Sequence, residues 1–336
     1  MAPDDRTAAP APGSAPGLAA GPGPASARAS GEGLLLVGHG SRSPESVAEM
    51  GALARHVADA LPDVAVRLGY LEMSDPPAGP VADELVALGC RRIVVLPLML
   101  LAAGHGKSDV PAVVAEARLR HPHVEFVFGS PLGVARDLVA VLGDAVDKAG
   151  GRGLPLLVVA RGTSDPDANA EAHRAARLVA EWTAAPALQV AFTGVTWPLV
   201  PEGLQAMAAL GHERMALAFW FLCNGRLVER ARADVAAFVG EAPAGQREVV
   251  DAGYLGPDPR VIPLVTERYR EALAGAPPVY SCDTCAYRAP FPGLEDRVGQ
   301  AVGVGHSHLA LEHREHGHGH GDGHHHHGSH GHHHHH

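Results

Sequence analysis

Aromatic residues make up only 4% of the 336 residues, and there is no long apolar run, no block of Lys and Arg, and only four cysteines. Each shortage closes off a class of protein. The most apolar stretch, Ile93 to Gly104, contains a proline and falls well short of the roughly 20 residues of a membrane-crossing helix, so no membrane span is expected. Net charge is -10 with histidines neutral and the basic residues are scattered, which argues against a nucleic-acid partner. The N-terminal stretch carries Asp4 and Asp5 and lacks a compact apolar segment with a cleavage site, so it does not read as a signal peptide and a cytoplasmic protein is expected. Four cysteines, at 90, 223, 282 and 285, are too few for a secreted disulfide framework, and the CxxC of Cys282 and Cys285 points to metal or redox chemistry in a reducing compartment. There is no GxxxxGK[ST] loop, which argues against a nucleotide-driven reaction.

What remains is a chain long enough for two domains, 46% apolar, with biased ends. Residues 1–32 are mostly Ala, Pro, Gly and Ser and cannot bury enough apolar surface to offset ordering, so a disordered leader is expected. From Leu34 onward, short apolar runs (34–37, 64–68, 93–96, 124–128) alternate with stretches of helical spacing (44–60, 78–88, 110–120, 134–148). Strands apolar on both faces, separated by helices, predict an α/β fold with a doubly wound parallel sheet.

A second pass begins at Leu156. A shift of 122 residues places Leu35–Pro44 on Leu157–Pro166, Pro76 on Pro198 and Gly89 on Gly211 without a gap, and one further residue places Leu132-Gly133 on Leu255-Gly256. The chain is one doubled unit. Two similar lobes facing a cleft are expected, over residues 33–150 and 151–275, followed by a CxxC segment at 276–305. Residues 306–336 hold sixteen of the 23 histidines among glycines and almost no apolar residues, and read as a metal-binding tail.

His39, Glu72 and His105 are spaced 33 residues apart, each just past a predicted strand. Ligands of open parallel sheets bind beyond the carboxyl ends of the strands, so the three side chains are expected to converge there. Two imidazoles and a carboxylate suit a divalent first-row metal, and equally can accept protons. Under the 122-residue shift they become Arg161, Gly194 and Leu227. The scaffold repeats and the site does not, which predicts one functional site per chain with the second half as the opposite wall.

These motifs resemble the class II tetrapyrrole chelatases of the CbiX/SirB type. The resemblance rests on Val37-Gly38-His39-Gly40-Ser41-Arg42, on Leu71-Glu72 followed by Pro76-Pro77, and on Leu96-Pro97-Leu98 leading to Gly104-His105 and Asp109-Val110-Pro111, and it spans about residues 34–275. It implies a two-lobed fold that inserts a metal into sirohydrochlorin, with His39 and His105 binding the metal and Glu72 assisting in binding or proton removal. Sirohydrochlorin is a polycarboxylate, so an acidic protein needs local cations, and Arg161, Arg42 and Lys107 are the expected carboxylate contacts. The CxxC and His-rich tail resemble long members of the family, in which an MxCxxC element is associated with an iron-sulfur cluster. Tyr280 stands at the methionine position here. Cys90 and Cys223, or a second subunit, can complete such a site, and a reduced or zinc-binding CxxC is the alternative. The long form resembles cobalt enzymes, so Co2+ insertion toward cobalamin is expected, with Fe2+ insertion toward siroheme as the alternative and Ni2+ a further candidate ion. A non-catalytic metal storage or delivery protein is the competing class. The chain is expected to act as a monomer or homodimer.

Overall fold

The computed structural model describes residues 31–299, apart from Ser281 and the side chain of His105. The leader, save its last two residues, the end of the CxxC segment and the His-rich tail lie outside the described residues.

The first sheet contains β1 (Glu32–Gly38), β2 (Ala65–Tyr70), β3 (Arg92–Pro97) and β4 (Glu125–Phe128), in the order β2-β1-β3-β4. The second contains β5 (Leu156–Ala160), β6 (Leu188–Phe192), β7 (Arg214–Phe219) and β8 (Glu248–Tyr254), in the order β6-β5-β7-β8. Every pairing is parallel. The helices are α1 (Pro44–Ala60), α2 (Ala78–Ala87), α3 (Val110–Arg120), α4 (Arg136–Lys148), α5 (Pro166–Trp182), α6 (Val200–Ala209), α7 (Arg226–Gly240) and α8 (Val261–Leu273).

The sequence dictates this layering. Leu34 to Val37 are fully buried because helices cover both faces of the sheet. Leu34 and Leu36 point into one apolar cluster, Leu35 and Val37 into another, as the two-residue period of a strand requires. Equivalent helices begin alike. Ser43 caps α1 ahead of Pro44, and Asp165 caps α5 ahead of Pro166, satisfying end amides and fixing φ at the first helical position. The repeat extends to the backbone: Asp75-Pro76 and Trp197-Pro198 are both cis, and Gly89 and Gly211 both take positive φ.

Packing departs from the expected division at residue 150. Helix α4, from the first half, lies on β7, β8 and α5 of the second, while α8, from the second half, lies on β3, β4 and α1 of the first. Each half covers one face of the other's sheet. Gly143 in α4 allows a close approach, since a Cβ there would collide with the Trp182 indole of α5. On the other side, the Tyr269 hydroxyl of α8 donates to Glu32 (2.9 Å) and Arg92 donates to the Leu273 carbonyl (2.8 Å). Leu138, Leu142, Val158, Ala176, Leu264 and Val265 therefore belong to one continuous core shared by both sheets. The lobes 33–150 and 151–275 are continuous in sequence but exchange their last helices in space.

Residues 276–299 fold back over both halves. On the first half, the Val279 amide donates to Ser130 (3.0 Å), the Tyr280 ring stacks on Phe128, and the Tyr280 hydroxyl donates to the Gly106 carbonyl (3.0 Å). On the second half, Thr284 donates to Asp167 (2.8 Å) and the Arg297 guanidinium reaches Ser164 (3.4 Å).

A buried ion cluster also crosses between the halves. The Lys107 ammonium donates to both Asp165 and Asp167 at 2.9 Å, with side-chain exposures of 6%, 2% and 3%. Burial alone disfavours the ammonium, but the hydrogen bonds and charges of the two aspartates outweigh it and raise the pKa. Lys107→Met would leave two buried carboxylates without their cation, and a loss of about 3–5 kcal/mol is expected in urea unfolding. Adding Asp165→Asn and Asp167→Asn should recover most of it. An unchanged unfolding midpoint for Lys107→Met alone would show that the contact contributes nothing.

Candidate active site

In both sheets the chain order reverses between the first and third strands, which leaves a crevice beyond their carboxyl ends. His39 follows β1 directly. Strand pairing runs on past the strand ends, with Leu71 donating to the Gly38 carbonyl (3.0 Å) and Glu72 to the His39 carbonyl (3.1 Å). This draws the two side chains together: His39 Nδ1 stands 3.4 Å from Glu72 Oε1, with exposures of 18% and 24%. Gly40, at φ +97°, makes the approach feasible, because a Cβ there would collide with the Glu72 carbonyl oxygen.

The third expected ligand follows β3. Residues Leu98 to Gly104 run along the crevice and lead into a π-helical turn, His105–Asp109, pinned where the Lys107 backbone amide donates to the Ala103 carbonyl (2.9 Å). Such turns are rare and frequent at functional sites. Gly104 and Gly106 border the same crevice as His39, so the His105 backbone is brought to it, while its side chain lies outside the described residues.

The crevice is a cleft of about 870 Å³ walled by both halves. His39, Ser41, Arg42 and Met73 border it from the first, and Arg161, Val195, Trp220 and Leu227 from the second. Arg161 and Leu227 occupy the positions equivalent to His39 and His105. Arg161 is exposed to the open cleft, yet nearby protein partly desolvates its guanidinium and lowers the pKa, while the charge of Glu72 opposes that shift. An arginine remains cationic at neutral pH despite this.

Of the three cations expected from the sequence, Arg42 and Arg161 border the cleft and Lys107 does not. Lys107 is instead consumed by Asp165 and Asp167, and this corrects its expected role as a carboxylate contact. Arg226, at the start of α7, and Arg297, in the folded-back segment, also border the cleft and were not singled out from the sequence. Nothing in their local pattern marks them. Among the described residues, no salt bridge occupies Arg42, Arg161, Arg226 or Arg297, which leaves their charges to face the cleft.

The cysteines do not assemble. Cys90 precedes β3 at the end of the sheet remote from the cleft, with its thiol 3.6 Å from the Glu32 carbonyl, whereas Cys223 follows β7 in the second half. Burial, reinforced by Glu49, pushes the Cys223 thiol up to about 12, which opposes the thiolate a metal needs. Cys282 is exposed and Cys285 half-buried. Among the described residues, no three His, Cys, Asp or Glu side chains are placed to share a metal ion. Completion of the CxxC by Cys90 and Cys223 is thus contradicted, and the described residues of one chain do not assemble a ligand set for an iron-sulfur cluster.

The CbiX family profile matches residues 33–149 and again 155–272, both copies of the repeat. The chain belongs to the CbiX family. Among CbiX relatives, the sirohydrochlorin cobaltochelatase of Priestia megaterium is 35% identical over 265 residues, covering 76% of this chain and 84% of that protein. A sirohydrochlorin ferrochelatase of Bacillus subtilis is 24% identical over 256 residues, covering 76% and 97%. The solved structure of SirB from Bacillus subtilis with Fe3+ superposes with a TM-score of 0.64 at 25% identity, covering 73% of this chain and 96% of that one. A SirB structure from Bacillus subtilis subspecies spizizenii in complex with cobalt, at 23% identity and TM-score 0.61, shares the fold. The family match ends at residue 272, so the segment that brings Tyr287 and Arg297 to the cleft lies beyond it. Among the described residues, no helix is long and apolar enough to cross a membrane.

Gly40→Ala tests the construction of this site. A Cβ in the left-handed region, set against the Glu72 carbonyl, should cost at least about 2 kcal/mol in urea unfolding and separate Glu72 from His39. A neutral result would show that the two loops do not depend on each other.

Proposed function

We propose that the chain inserts a divalent metal ion, Co2+ foremost, into sirohydrochlorin without nucleotide. The carrying observation is the meeting of His39 and Glu72 at 3.4 Å on the edge of a cleft whose other wall presents Arg161. Metal insertion needs three things from a protein. It must hold an ion with exchangeable ligands, take two protons from pyrrole nitrogens, and fix the ring against the ion.

His39 and His105 are the proposed ligands of the incoming ion. Glu72 beside Nδ1 favours the His39 tautomer protonated there, with Nε2 as the metal-binding nitrogen. Glu72 receives one pyrrole proton as the first nitrogen–metal bonds form, releases it to solvent at the open cleft, and takes the second in the same way. The two walls of the cleft supply proximity and orientation. Arg161 and Arg42, joined by Arg226 and Arg297, bind the carboxylates at the ring's edge. Support for cobalt over iron is the 35% identity to a cobaltochelatase, against 24% to a ferrochelatase. The His/Glu set accepts either ion, so Fe2+ insertion is the second reading.

The deciding assay supplies the whole chain with anaerobic sirohydrochlorin and Co2+, Fe2+ or Ni2+ at limiting concentration. Fastest insertion with Co2+ is expected, and insertion of none of the three would sink the proposal. Arg161→Ala should raise the apparent KM for sirohydrochlorin by about tenfold, since a charge-assisted contact is lost, with the KM for metal unchanged. Unchanged kinetics would remove Arg161 from the substrate site.

A further inference from the structure

A three-residue turn follows β2 and recurs after β6. The Ser74 amide donates to the Glu72 carbonyl (2.7 Å), and the Thr196 amide donates to the Gly194 carbonyl (2.8 Å). The residues between are Met73 at φ +58° and Val195 at φ +68°. A positive φ at the centre of such a turn is its rare, strained form. For a β-branched residue it is an outlier by sterics alone. Ala184 is the other non-glycine residue with positive φ among the described residues, and it lies just past the end of α5, where left-handed backbone is common.

Strain of this kind needs a reason, and it gathers at functional sites. Burial of the two side chains does not supply one. Met73 is 48% exposed and Val195 77%, so neither side chain recovers the cost by burial. Placement of Glu72 does not supply one either, because the second half keeps the turn although Gly194 stands where Glu72 stands in the first. Both copies tie the turn down alike, with the Ser74 hydroxyl donating to the Ser41 carbonyl (3.0 Å) and the Thr196 hydroxyl to the Thr163 carbonyl (3.2 Å). That tether accounts for the turn but not for a non-glycine, apolar side chain at its centre, raised at the rim of the cleft, one from each wall.

Resting on the chelatase reading, we infer that Met73 and Val195 are apolar jaws for the macrocycle. They contact its flat faces while the arginines hold its charged edge. A tetrapyrrole has this division of chemistry: a broad apolar π surface bounded by carboxylates. Burying the jaws against it removes exposed apolar surface from water, which offsets the strain only in the complex. Both are positioning residues, since neither has a group that binds metal tightly or moves protons at neutral pH.

The test is an absorbance titration of sirohydrochlorin with the whole chain stripped of metal, so that binding is read without insertion. Val195→Gly and Met73→Gly should each weaken binding about fivefold to tenfold, as expected for losing a partly buried apolar contact. Glycine accepts positive φ, so Tm should hold or rise by a few degrees. Val195→Asn, which also tolerates this backbone but is polar, should weaken binding equally. Leu210→Asn, an exposed apolar residue remote from the cleft, should leave it unchanged. If the wild type binds and both glycine variants bind as tightly, the jaws are refuted and the chelatase reading stands. A fall in Tm of more than about 5 °C in both variants also refutes them, because the turns would then be structural. If the wild type fails to bind sirohydrochlorin, the chelatase reading falls and the jaws with it.

Discussion

The exchange of α4 and α8 between the two sheets sets the geometry on which the site depends. With a single hinge between independent lobes, the separation of the cleft walls would vary. Here each sheet is covered on one face by a helix from the other half, so one apolar core runs through both. Separating the walls would expose that core. The buried Lys107–Asp165/Asp167 contact adds direction to this non-directional packing, because an ammonium shared between two carboxylates tolerates little displacement. It ties the π-helical turn that begins at His105 to the start of α5 on the opposite half.

On that frame the duplicated scaffold performs two different jobs. The loops after β1 and β5 have the same glycine turn, yet one carries His39 and the other Arg161. The loops after β2 and β6 have the same strained turn, yet one carries Glu72 and the other Gly194. Under the proposed function, ligand and proton chemistry is thereby concentrated on one wall, and cationic recognition is strengthened on the other. Arg161 and Glu72 feel each other's charge across the gap, which helps keep a guanidinium ionised where protein partly desolvates it. A symmetric pair of metal sites would instead place two cations where the ring must enter.

Much of this was legible in the sequence, because strand and helix periodicity report burial directly. The ranges 44–60 and 110–120 for α1 and α3 follow from apolar spacing, and the 122-residue register gave the two sheets. The helix exchange was not legible, since α4 and α8 have the same amphipathic pattern whichever sheet they cover. The fate of Lys107 was hidden for a similar reason. A lysine near the strand ends reads as a cleft cation until Asp165 and Asp167, some sixty residues on, are seen to close over it. Cys90 and Cys223 failed as partners of the CxxC because one precedes β3 and the other follows β7, at opposite ends of parallel strands, an order that the sequence already held. The strain at Met73 and Val195 was invisible, since neither residue type advertises a positive φ.

The central claim is that metal is delivered to the ring from the first half's strand ends, at His39. Single-turnover insertion of Co2+ into bound sirohydrochlorin, by the whole chain with its His-rich tail unchanged, addresses it most directly. For His39→Ala the account predicts a rate at least about a hundredfold lower, the scale of losing a group that acts directly on the reaction, with the macrocycle bound as tightly as before. An insertion rate equal to that of the wild type would contradict it.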